Sequence, residues 1–164
     1  MGGILSSYSC AYKHLKRSRI SDREKMGEMD YREKRYKEKL ELAEERINDI
    51  EILLKDFDNK FSRLACYKAF QELVEAIFDV VAMLLKDQGK IVEDDYTNVE
   101  KIEKEGIITK ENAEILREAN GLRNRIIHRY NKTDDMIAKQ SMENLLPHLE
   151  NILERLVEAW KKIS

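Results

Sequence analysis

Arg123, Asn124, His128 and Tyr130 fall within one short string, GLRNRIIHRY over residues 121–130. An imidazole titrates near neutral pH and can move the proton of a ribose 2′-hydroxyl or of a leaving oxygen. A guanidinium can hold a phosphate and stabilise charge developing on it. A side-chain amide can orient either partner. These residue types suit phosphodiester cleavage in RNA, and such a set does not require a metal. His14 and His148 are isolated, and no His, Asp or Cys cluster has metal-ligand spacing. No cofactor is implied. An arginine and a histidine five apart recur on many helices, so the string alone does not fix an activity.

The residues around the string favour a helix over 110–130. At about 100° per residue, Ile115, Ala119, Leu122, Ile126 and Tyr130 share one face. Arg123 lies close to that apolar face and needs an anion, which Asp79 or a bound phosphate would supply. Asn124 and His128 share a different face. Arg123 and His128 then point roughly 140° apart. One chain would not easily close both around a single phosphate. Two copies across a two-fold axis would do so, as would a distorted helix, and the dimer is the preferred reading. Tyr130 reads either as a core aromatic on the helix stripe or as a functional group.

The rest of the chain reads as the scaffold. Residues 31–57 form a charged helix with a narrow seam of Leu40, Ala43, Ile47, Ile50 and Leu54. Asp58-Asn59 should break it and cap the next helix. Residues 61–86 form the most apolar helix, with Phe70, Leu73, Val74, Ile77, Val81, Leu84 and Leu85 on one stripe. That helix is the bundle centre, a dimer surface, or both. Asp79 is its one charge between Ala76 and Leu85. It is a structural salt bridge, an aspartate at an exposed gap, or an acid that orients Arg123. Residues 88–98, with the run Glu93-Asp94-Asp95, read as a loop, and 98–105 as a short helix ended by Gly106. Thr109 caps the helix that carries the string. Thr133 or Asp134 caps the last helix, 136–163, in which Pro147 should make a kink or an irregular turn. No strand pattern or internal repeat is present. The sum is an all-α, antiparallel bundle of four main helices plus a short one.

Composition narrows the class. With 164 residues the chain suits one domain. One proline and six glycines leave few breaks for long helices. A net charge of −2 excludes a polycation built for nucleic acid, so RNA contact would come from a local patch. Cys10 and Cys66 do not suggest a disulfide framework, which fits a reducing cytoplasm. The longest apolar run, residues 80–85, is far too short to span a bilayer. Residues 1–30 read as a poorly ordered extension before a domain at 31–164, with Met26 and Met29 as alternative starts. The extension carries a small basic cluster of Lys13, Lys16, Arg17 and Arg19, and an M-G-x-x-x-S myristoylation pattern.

The R-x4-H-x-Y string of Arg123, His128 and Tyr130 resembles the signature of the HEPN superfamily, in its HepT-like toxin branch. The context is similar too. Ala76-Ile77-Phe78-Asp79 matches an A-I-x-D-like segment on an apolar helix, and residues 121–128 match G-x-R-N-x-x-x-H. The resemblance covers roughly residues 31–163. It implies a metal-independent endoribonuclease, toxic to its own cell, that works as a homodimer with a composite cleft. Arg123 would bind the phosphate or transition state, Asn124 would support it, and His128 would be the general acid/base. The implied partners are RNA and a minimal nucleotidyltransferase antitoxin that adenylylates the tyrosine of the H-x-Y element, here Tyr130. A non-catalytic module that holds a nucleotide or docks a nucleotidyltransferase is the alternative. A bundle used only for assembly, suggested by the charged helix at 31–57, is a third reading.

Overall fold

The computed structural model describes residues 26–128 and 135–164. They form five helices and no strand: α1 (Met26–Leu54), α2 (Lys60–Asp87), α3 (Asp95–Lys104), α4 (Lys110–Ile127) and α5 (Asp135–Ile163). The described residues fall into two units, divided between Glu38 and Lys39. Residues 26–38 of the first are helical and run on into the second within α1. The helix thus starts five residues before the expected position 31. The basic cluster and the myristoylation pattern lie outside the described residues.

The second unit is the antiparallel bundle, four main helices and the short α3. Leu40, Ala43, Ile47, Ile50 and Leu54 are all buried, so the seam read from spacing is the packing face of α1. Two ion pairs join that helix to α2: Lys39 Nζ to Asp79 at 2.6 Å, and Arg46 Nε to Glu72 at 2.5 Å. Beyond them, at the connection from α1 to α2, Phe57 is buried edge-on against Tyr67, with ring centroids 5.6 Å apart. Asn59 caps α2, its side chain accepting the backbone N–H groups of Phe61 and Ser62.

α2 packs against α3, α4 and α5, and its whole expected stripe is buried within one chain. It is therefore the bundle centre. A Leu→Ala change there costs roughly 2–5 kcal/mol, because the cavity left behind adds to the lost transfer energy. α2 ends in a Schellman turn. Gly89, at φ 72°, donates to the Lys86 carbonyl and Lys90 donates to that of Leu85. Gly106, at φ 73°, repeats the device after α3, with Gly106 bonded to Glu103 and Ile107 to Ile102.

The acidic run at 93–95 proves to be a helix start, not the body of a loop. Asp94 is the N-cap, accepting the Thr97 N–H, and Asp95 sits in the first turn. An oxygen acceptor satisfies an orphan donor there, and a negative charge favours the positive end of the helix. α4 opens on a capping box between Thr109 and Asn112. α5 is one helix through Pro147, with no irregular turn. Pro147 is exposed, so the carbonyl that loses its donor faces water. Near the start of α5, Ile137 is exposed and the next residue, Ala138, is buried.

Candidate active site

α4 carries two of the four residues of the string that are candidates for chemistry, Arg123 and Asn124, and His128 caps its end. Its buried side is Asn112, Ala113, Leu116, Ala119, Leu122 and Ile126. Ile115, expected on that side, is only half-buried. Arg123 stands at the edge of this face with its side chain 15% exposed. Its guanidinium lies 5.8 Å from the centre of the Phe78 ring on α2. One terminal nitrogen reaches an Asp95 carboxylate oxygen at 3.4 Å, longer than the usual 2.7–2.9 Å of a charge-assisted bond. The Arg123 Nε is buried with no hydrogen-bond partner. Arg123 is thus held by an aromatic surface and one long ion pair, with capacity to grip an anion more tightly.

The anion that meets Arg123 is not Asp79. Asp79 is half-exposed and pairs with Lys39. The reason is the helix turn: Phe78 takes the place beneath Arg123, and the next residue leaves about 100° further round. There it faces α1. Asp79 is the exposed structural ion pair, worth about 1 kcal/mol or less. The carboxylate at Arg123 comes instead from the first turn of α3, which packs on both α2 and α4. Asp95 could have been suspected from the acidic run, but sequence spacing does not say which arginine it faces.

Asn124 and His128 are exposed, and neither side chain has a partner among the described residues. α4 ends at Ile127, three residues before the expected end at 130, and His128 is its C-cap, at φ −97° and ψ 41°. Its backbone N–H still bonds the Asn124 carbonyl at 3.1 Å, so its side chain leaves close to the helical direction. The wide angle between Arg123 and His128 therefore persists. Tyr130 and both proposed caps of α5, Thr133 and Asp134, lie outside the described residues.

A second arginine uses α3 in the same way. Arg117 lies over the Tyr96 ring, 4.6 Å from its centre, and pairs with Glu103 at 3.7 Å. The Arg117 Nε and the Asn120 Oδ1 are buried without partners, so α4 presents a line of polar groups beneath α3. Elsewhere, burial pushes the Cys66 thiol up to about 12 and keeps it out of nucleophilic chemistry. Among the described residues no group of three or more His, Cys, Asp or Glu side chains converges as a metal site, and no helix is long and apolar enough to cross a membrane.

Relatives give this geometry a context. Two Archaeoglobus fulgidus proteins, each named "Putative RNase", are similar along nearly their whole length. One is 41% identical over 131 residues, covering 79% of this chain and 94% of its own, and the other is 37% identical over 136 residues, covering 81% and 98%. A solved structure of a tri-AMPylated HEPN toxin from Shewanella oneidensis, in complex with an MNT antitoxin, superposes with a TM-score of 0.64. It is 19% identical and covers 78% of this chain and 97% of its own, which shows a shared fold. The family model described as Ribonuclease HepT-like matches residues 36–156, a span that holds α2, α3 and α4 whole, with Arg123, Asn124 and His128. The chain belongs to the HepT-like ribonuclease family.

Proposed function

We propose that this protein is a metal-independent endoribonuclease toxin. Arg123 would bind the scissile phosphate and His128 would move the protons. The observation that carries this is the pairing on α4 of a half-buried, loosely held arginine with an exposed imidazole at the helix end. In the reaction His128 takes the proton of the ribose 2′-hydroxyl. That oxygen bonds to phosphorus, the P–O5′ bond breaks, and the leaving oxygen is protonated. Arg123 leaves Asp95 for the phosphate oxygens and stabilises their charge. Asn124, exposed one residue on, orients the phosphate or the sugar. Asp79 acts only at a distance, by holding α2 to α1 beneath Phe78.

The angle between Arg123 and His128 supports a cleft completed by a second copy. A nucleotidyltransferase antitoxin would then silence the toxin by adenylylating Tyr130, because a nucleotide attached two residues from His128 adds bulk and negative charge beside the phosphate path. The solved neighbour, itself AMPylated and bound to an MNT antitoxin, supports that partner class. The experiment is RNA cleavage in EDTA by the wild type, His128→Ala and Arg123→Ala. Each substitution should lower the rate on the order of 10²-fold or more. Equal cleavage by all three would sink the proposal.

One observation favours a second reading. The Arg123 guanidinium already has a carboxylate, Asp95, at its anion position. In a non-catalytic module that pair would be permanent, and the fold would serve to dock a nucleotidyltransferase. Partner binding without RNA cleavage, unchanged by His128→Ala, is its signature.

A further inference from the structure

We propose that Tyr96 is a nucleobase-stacking platform, so that single-stranded RNA lies along α4 with a base on Tyr96 and the neighbouring phosphate at Arg123. This rests on the RNA-cleaving reading above. Tyr96 is 61% exposed. The ring does not stand free in water. The Arg117 guanidinium covers part of it at 4.6 Å, and Arg117 is itself anchored by Glu103. One cation–π contact fixes the orientation of the ring and leaves the remainder open.

The backbone beneath Tyr96 is equally fixed. Asp94 caps the helix and accepts from both the N–H and the hydroxyl of Thr97, each at 2.9 Å. Asn98, buried, brackets the Glu93 N–H and carbonyl at 2.8 and 2.9 Å. Lys101 donates to the Ile91 carbonyl at 2.7 Å and pairs with Glu93. An aromatic already held in place loses little freedom when a base stacks on it.

Position completes the argument. Tyr96 adjoins Asp95, whose carboxylate meets Arg123. Arg117 and Arg123 are six residues apart, roughly 9 Å along α4. α3 and α4 together therefore offer two stations in sequence: the Tyr96 ring beside Arg117, then Arg123 for the neighbouring phosphate, with the imidazole supplied across the composite cleft by the second copy. Bases available for stacking belong to single strands and loops, so the substrate class is unpaired RNA. Stacking tolerates any base, so Tyr96 would set affinity and register more than sequence.

The test uses the full chain and two probes. A single-stranded 2′-O-methyl RNA carrying 2-aminopurine cannot be cleaved and reports stacking by fluorescence quenching. Ordinary RNA of the same sequence gives KM and kcat. Tyr96→Ala should lose the quenching and raise both Kd and KM on the order of tenfold, with kcat little changed. Tyr96→Phe should behave as wild type. An abasic site at the stacked position should weaken wild-type binding by the same factor and leave Tyr96→Ala unaffected, an arm that holds even if the alanine variant folds poorly. Wild-type binding by Tyr96→Ala, or equal defects in Tyr96→Phe and Tyr96→Ala, would overturn the platform while leaving the nuclease standing. If the wild type neither cuts nor binds RNA, both fall together.

Discussion

At the scale of single residues the informative contrast is Asp79 against Asp95. Asp79, the acid expected at Arg123, pairs with Lys39, and Asp95 meets the arginine instead. Asp95 orients Arg123 and also competes with phosphate for it. Removing it should therefore separate two quantities. Asp95→Ala should lower kcat about tenfold, near 1.4 kcal/mol of transition-state stabilisation, while KM falls because the competing anion is gone. Steady-state kinetics on one RNA substrate decides it, and a KM that rises with kcat unchanged would mean that Asp95 serves binding alone. Asp79→Ala, by contrast, should alter neither parameter much. The string at 121–130 was legible as chemistry because its residue types can hold a phosphate and move a proton near neutral pH. The partner of Arg123 was not legible, because it arrives from another helix.

At the scale of elements, the helices begin and end where local chemistry stops them. Asn59, Asp94 and Thr109 each satisfy an orphan N–H, and Gly89 and Gly106 each supply a left-handed turn. Gly121 is different. It lies inside α4 at ordinary helical φ, exposed, and an added Cβ would meet no atom within 4 Å. Gly121→Ala should therefore stabilise the chain by about 0.5–1 kcal/mol, because glycine is a poor helix former. Chemical denaturation measures this. A stabilised variant with lost cleavage would mark Gly121 as a close-approach point for RNA or a second copy.

At the scale of the whole molecule, one buried carboxyl joins the packing to pH. Glu150, on α5, is buried among core residues, and burial raises its pKa from the usual 4.5 to about 7, helped by a hydrogen bond with Glu51 on α1 and by the nearby charges of Glu51 and Glu154. The folded state thus holds a proton that the unfolded chain releases near 4.5. The contribution is full below pH 4.5, falls as pH rises to about 7, and is lost above it. Glu150→Gln removes the titration. Its melting temperature should exceed that of the wild type at pH 8 and match it more closely at pH 5. A gap that is the same at both pH values would rule out Glu150 as the source.

What the sequence by itself determined is local or periodic: helix content, the seams of α1 and α2, the caps Asn59 and Thr109, and the chemistry-bearing string. Spacing of apolar residues and backbone donors at helix ends depends only on neighbours in the chain, so these features are readable in one dimension. The tertiary structure alone decided which charges meet. Phe78 under Arg123, Asp95 in place of Asp79, Lys39 on Asp79 and Arg117 over Tyr96 each join residues from different helices. Those pairings follow from how α1, α3 and α4 are set around α2, and no spacing along the chain encodes that rotation.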